Sequence, residues 1–161
     1  MHHKIIILHI LPKLGGGGAE KIHSLLYKDF SENFIQFRLV LFDINTYIDL
    51  VKFIFYKQNN NHKIVFGWLY YGGIFALLIS FFTKNSGQII SLHCLLNKKL
   101  EGLPVKVSRE LIKLLIYFKK AKITYPNKKS MDEHILDGFP KYKSKIIKNG
   151  IFLKDNIKRE S

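Results

Sequence analysis

Residues 4–21 read Lys4-Ile5-Ile6-Ile7-Leu8-His9-Ile10-Leu11-Pro12-Lys13-Leu14-Gly15-Gly16-Gly17-Gly18-Ala19-Glu20-Lys21, and this stretch decides the fold class. Lys4 to Ile10 is a continuous apolar, β-branched run, the pattern of a central parallel strand covered by helices on both faces. Four glycines follow. Ala19 to Phe30 then reads as a helix, with Ile22, Leu25, Leu26 and Phe30 at helical spacing.

The alternation continues outward from there. Phe34 to Phe42 reads as a second strand ending at Asp43, Tyr47 to Tyr56 as an amphipathic helix, and Lys63 to Trp68 as a third strand. A helix over 74–82 follows, then a strand from Gln88 to His93 and a loop over 94–105. Val107 to Tyr117 suits a helix, Lys122 to Tyr125 a strand, and Asn127 to Leu136 a helix stopped by Gly138, with Pro140 just beyond. Lys145 to Lys148 forms the last short strand. The expected fold is α/β: a doubly wound, mostly parallel Rossmann-like sheet with helices on both faces. Ligands of such sheets sit at the carboxyl ends of the strands. The glycine tract, the Trp68–Gly73 turn and Ser91-Leu92-His93 all fall at such ends.

The 161 residues fit one domain, and 47% hydrophobic with 24% charged residues excludes a disordered chain. A single cysteine, Cys94, excludes a disulfide framework and a multi-cysteine metal site. The charge is lopsided: 26 Lys+Arg less 12 Asp+Glu gives +14. Such an excess suits phosphate-bearing or membrane-surface partners. Arginine stands only at 38, 109 and 159, so the bidentate base contacts of a specific nucleic-acid reader are not expected. The basic, apolar start is not a secretory signal, since His9 interrupts the run and no small-residue cleavage site precedes the glycines. Residues 64–82 carry no charge and approach the length of a membrane span. Gly67, Gly72 and Gly73 divide them into a strand over 64–68 and a buried helix over 74–82. A span over 64–82 stands as the alternative.

The four glycines let a backbone approach a ligand closely and leave helix N–H groups free for an anion. They match neither a dinucleotide fingerprint nor a P-loop, because Ala19-Glu20-Lys21 follows Gly18. A flexible turn explains them equally. Glu20 in the first helical turn is explained by the helix dipole alone. His93, at the end of its strand, is placed to hydrogen-bond a sugar hydroxyl or to pack with a backbone partner. His9, inside the first strand, reads as structural, and no other histidine or carboxylate lies at metal-ligand spacing from it. Cys94 reads as a small buried side chain.

In these residues the chain resembles the amino-terminal domain of family 4 retaining glycosyltransferases of the GT-B fold. Lys4 to Ile10 with Gly16-Gly17-Gly18-Ala19-Glu20-Lys21 looks like that domain's opening. Val65-Phe66-Gly67-Trp68-Leu69-Tyr70 is similar to the strand and turn before its third helix. Ile89-Ile90-Ser91-Leu92-His93 resembles the strand whose terminal His or Asp faces the donor sugar. Gly138-Phe139-Pro140 and Lys145-Ile146-Ile147-Lys148-Asn149-Gly150-Ile151 resemble the domain's close. There are departures: Tyr71-Gly72 stand where the family often has His-Ala, and Thr124-Tyr125-Pro126-Asn127 replaces a Val-Ser pair.

The resemblance implies transfer of a sugar from a nucleotide-sugar donor, with retention, to a lipid-linked or polysaccharide acceptor in cell-surface glycan synthesis. It implies no cofactor and no metal held by an Asp-x-Asp motif. Residues 1–150 become the acceptor-side domain, 151–161 the start of a linker or tail, and the nucleotide-binding domain a missing half or a separate partner chain. His93 takes the catalytic place. Gly16, Gly17, Gly18, Glu20, Tyr70, Tyr71, Asn149 and Gly150 take donor- and acceptor-binding places. The location implied is cytoplasmic, peripheral at the inner face of the cytoplasmic membrane, where an anionic surface meets basic and aromatic residues. The chain alone is expected to show no transferase activity. A non-catalytic truncated binding domain is the alternative.

Overall fold

In the computed structural model, residues 5–15, 17–29, 34–56, 62–83, 86–96 and 101–148 are described. Six strands form one sheet: β1 (Ile5–Leu11), β2 (Phe34–Val40), β3 (Lys63–Trp68), β4 (Ser86–Ser91), β5 (Lys122–Tyr125) and β6 (Ser144–Ile146). Their order is β2-β1-β3-β4-β5-β6, and every neighbouring pair is parallel. Helices α1 (Gly18–Asp29), α2 (Tyr47–Phe55), α3 (Leu69–Ile79), α4 (Leu103–Phe118) and α5 (Lys128–Leu136) lie between them in sequence. The chain has the doubly wound, Rossmann-like α/β fold that its strand and helix patterns predict.

The period-two alternation of the strands assigns the faces. Ile6, Leu8 and Ile10 of β1 are fully buried with Val65, against Phe53 of α2 and Ala76 of α3. Ile90, Ile123 and Tyr125 continue that layer against Leu77 of α3 and Ile112 and Ile116 of α4. Leu11 points the other way, where Ala19 of α1 and Trp68 meet it. Among the described residues α1 is thus alone on its face, and α2 to α5 share the other. Right-handed crossovers require this division, because the chain steps one way from β1 to β2 and the opposite way at every later step. The reversal leaves a switch point between the carboxyl ends of β1 and β3.

Three boundary differences bear on the site. Helix α3 begins at Leu69 rather than 74, so Tyr70-Tyr71-Gly72-Gly73 form its first turns instead of a turn before it. The glycines there serve packing. A Cβ on Gly67 would collide with the Gly72 carbonyl, and one on Gly72 with the carbonyl of Ile10 in β1. Leu69, at the junction, has φ +58, uncommon for a residue with a side chain. Helix α4 starts at Leu103 rather than Val107, with Pro104 in its first turn, where a missing N–H costs nothing. Strand β4 ends at Ser91, two residues before His93.

Residues 64–82 therefore do not form the single span held open as an alternative; they are a central strand and an 11-residue helix. No helix among the described residues is long and apolar enough to cross a membrane. Helix α1 packs Ile22 and Leu26 inward as its spacing predicts, but not every apolar position faces the core. Leu25 is exposed, whereas Ala19, Glu20 and His23 are buried.

Candidate functional site

The carboxyl edge of the sheet is assembled around Trp68. This side chain is 1% exposed at the end of β3. It packs with Leu11 from the end of β1 and Ala19 from the start of α1. The His93 ring lies 5.4 Å from it. The glycine loop and His93 thus share one wall, at the switch point of the sheet.

Within the loop, Gly15 has φ +93, a conformation glycine tolerates. A Cβ on Gly18 would meet nothing, whereas one on Gly17 would strike the carboxylate of Glu20. Glu20 folds back over the loop and is 7% exposed. The negative charge at the start of α1 is therefore the protein's own. The sequence reading left those amides free for an external anion; in the structure the Glu20 carboxylate lies against the loop. Gly16, Asn149 and Gly150 lie outside the described residues.

His93 is half-buried, and burial lowers its pKa below the usual imidazole value, so the ring is neutral at neutral pH. A neutral imidazole offers one donor and one acceptor. Beneath the rim lies a second histidine cluster that the sequence reading only half found. His9 Nε2 stands 3.0 Å from Gln36 Oε1, and Trp68 Nε1 donates to His9 Nδ1 at 3.4 Å. The Trp68 donor fixes Nδ1 as acceptor and places the proton on Nε2, facing Gln36. Gln36 in turn donates to the Tyr27 carbonyl at 3.0 Å. His23, fully buried, has its ring 5.0 Å from that of His9 and 5.4 Å from that of Trp68. Neither of its nitrogens has a hydrogen-bond partner among the described residues. Burial lowers the His9 pKa to about 4, with Arg38 contributing. Burial, then the His9 and Arg38 charges, lowers that of His23 to about 3. Both are neutral imidazoles.

No family model, curated protein or solved structure matches the chain. The site is therefore interpreted from its own geometry.

A cavity of about 310 Å³ opens next to this edge, between the starts of α3 and α4. Leu69, Tyr70, Tyr71, Cys94 and Glu101 line it. Tyr71 is half-buried. Tyr70 is 6% exposed and turns its hydroxyl inward, 2.7 Å from His134 Nε2. The other ring nitrogen, Nδ1, lies 2.7 Å from the Ser130 carbonyl, which only accepts. Nδ1 therefore carries the proton, and Tyr70 donates to Nε2. Burial raises the Tyr70 pKa and lowers that of His134, so both are neutral. Burial also pushes the Cys94 thiol up to about 11, which keeps it protonated and a poor nucleophile.

The rest of the cavity wall is tied down by polar contacts that the sequence reading missed. Ser130 Oγ donates to the Cys94 carbonyl at 2.7 Å, and Leu96 N–H donates to Glu133 at 3.1 Å. Arg109, 3% exposed in α4, pairs with Glu101 at 3.1 Å and with Asp137 after α5. Inward-facing histidines at His23 and His134, one helical turn from other buried positions, were the available signal. Arg109 gave none, because its partners lie 8 and 28 residues away. No group of three or more His, Cys, Asp or Glu among the described residues is placed to hold a metal ion.

Proposed function

We propose that this chain supplies the acceptor-side domain of a retaining glycosyltransferase that uses a nucleotide-sugar donor and a lipid-linked or polysaccharide acceptor. One observation carries the reading. The switch point of a doubly wound sheet, where such folds take their ligands, gathers the glycine loop, Trp68 and His93 on one wall. These are the residues on which the resemblance to family 4 glycosyltransferases rests.

In this reading His93 presents a neutral imidazole to a sugar hydroxyl, and its ring is steadied by Trp68. Gly18, where a Cβ would meet nothing, leaves the edge low enough for a sugar to approach. Glu20, folded against Gly17, disfavours an anion bound directly at the start of α1. The charge that develops on the leaving diphosphate is therefore assigned to cationic or N–H groups of a second domain. Tyr71 and the cavity beside it suit the acceptor.

Titration of the ¹⁵N-labelled chain with hexoses and hexose-bearing acceptor oligosaccharides tests the reading. Amide shifts should concentrate at Gly17, Gly18 and His93, and His93→Ala should abolish them. Shifts that are absent at millimolar ligand, or that cluster away from this edge, would sink the proposal.

A further inference from the structure

Helix α4 carries two apolar faces, and the core uses one. Ile112 and Ile116 are fully buried in the layer beneath the helix. On the outer side, where a surface helix normally carries polar residues, Val107, Leu111, Leu114 and Phe118 are all exposed, Phe118 by 78%. These positions follow one another at steps of four, three and four residues. That is the spacing of a coiled-coil seam, a stripe that meets the same stripe on another helix. Leu103 and Tyr117, also exposed, widen it. Past the end of the helix, Lys119 holds Nζ 3.2 Å from the centre of the Phe81 ring, so the exposed Phe81 and Phe82 after α3 continue the same surface.

The extent of this surface calls for a large partner. The α4 side chains alone expose on the order of 800 Å², which is about what each side of a standard stable interface buries. A monomer rarely shows a contiguous apolar patch beyond roughly 300–600 Å². The pattern of the seam selects the partner. Steps of four, three and four read the same from either end, so an antiparallel copy of α4 matches this one level by level. Val107 then faces Phe118, and Leu111 faces Leu114. The smallest seam residue thus meets the largest, and the volumes interdigitate. A parallel copy sets Phe118 against Phe118 and Val107 against Val107, which fills the seam unevenly. The four positions carry no charge, and the neighbouring Glu110 and Lys113 hold each other at 2.7 Å, so a copy brings no like charge against the seam.

We infer that the outer face of α4 is a homodimer interface. Two copies of the chain pack Val107, Leu111, Leu114 and Phe118 antiparallel about a twofold axis that passes between Leu111 and Leu114. The contact is isologous, each copy offering the same patch, so it closes at two chains. This inference stands apart from the sugar-transfer reading, since its residues are not those of the switch-point edge. Failure of either leaves the other standing.

Sedimentation velocity and disulfide trapping decide it. The full chain should sediment as a dimer at micromolar concentration. Leu111→Glu and Leu114→Glu should each weaken association at least tenfold, the scale expected when a large apolar contact is lost on both copies. Both side chains are exposed, so unchanged circular dichroism should confirm that the fold survives. Leu25→Glu, exposed on α1 across the sheet, should leave the dimer intact. Trapping tests the register without disturbing the leucines. A mixture of Val107→Cys and Phe118→Cys chains should oxidise to a cross-linked dimer. Val107→Cys alone should not, because the two copies of that position lie ~16 Å apart along an antiparallel pair, too far for a disulfide. Burial keeps the native Cys94 thiol protonated, so it does not compete. A chain that stays monomeric at every concentration overturns the inference and leaves the face to a different partner. A dimer unchanged by L111E overturns it, as does a Val107→Cys chain that cross-links to itself.

Discussion

The hydroxyl of Tyr70 donates to Nε2 of His134 across 2.7 Å, joining the first turn of α3 to the last turn of α5. The Ser130 carbonyl holds the far side of the imidazole at 2.7 Å. His134 is fully buried, so no water replaces a lost partner at the surface. Tyr70→Phe keeps the ring and removes the donor, leaving Nε2 unsatisfied. Such an orphaned buried group costs about 1–3 kcal/mol. Urea unfolding should therefore show a lower midpoint at unchanged slope for Tyr70→Phe. A midpoint equal to that of the wild type would mean that the hydrogen bond contributes nothing net.

The His9–His23 pair predicts loss of stability in acid. Both imidazoles titrate below their unfolded value of 6.5, near 4 and near 3. Below pH 6.5 the unfolded chain binds protons that the folded chain refuses, so stability falls as pH drops from 6.5 toward 4 and below. Above 6.5 these two groups contribute no slope. For His9 alone the shift corresponds to ~3 kcal/mol across that window. His23→Leu should flatten the acid limb. It should cost little at pH 7, because it replaces two unpartnered buried nitrogens with apolar atoms. Thermal melts of both proteins from pH 7 to pH 4 measure this directly.

Gly72 allows α3 to touch β1. An alanine in an ordinary helix interior gains about 1 kcal/mol over glycine. Here its Cβ would run into the Ile10 carbonyl, a backbone atom fixed in the central strand. Overpacking of this kind costs typically ~1–3 kcal/mol or more, so the sign reverses and Gly72→Ala should destabilise. Gly87→Ala is the control, since its Cβ would sit 4.0 Å from the Ile64 side chain, an ordinary contact. The two midpoints, measured side by side, should separate clearly.

What the sequence discloses here follows from the range of each signal. The unbroken run Ile5–Leu11, the glycines after it and the alternating segments beyond define a parallel α/β sheet, because strand and helix periods are local. The start of α3 is not legible in the same way. Gly72 and Gly73 read as a turn in isolation, and only the nearby Ile10 and Ile90 show that they are close-packing positions. Leu25 fitted an apolar helix face but is exposed, while His23, a polar residue by type, occupies the interior. Glu20 is legible as a residue of the first helical turn, but its fold back over Gly17 depends on loop geometry. His93 is placed at the sheet edge by its strand alone, whereas the Trp68 ring beside it comes from a strand 25 positions earlier.

Arg109 offers the sharpest test of how the cavity wall is held. Its guanidinium is buried and meets Glu101 at 3.1 Å, together with Asp137. The side chains of Glu101 and Asp137 are themselves only 10% and 5% exposed. Arg109→Met keeps the volume and removes the charge. Asp137 retains Lys113 at 3.1 Å, so the carboxylate left uncompensated is that of Glu101. Breaking a buried pair from one side costs about 3–5 kcal/mol. The double change Arg109→Met with Glu101→Gln should recover much of that loss, since it removes the stranded charge. Urea midpoints of the wild type, the single and the double variant form the measurement. A double variant no more stable than the single one would show that Arg109 acts through packing rather than through its charge.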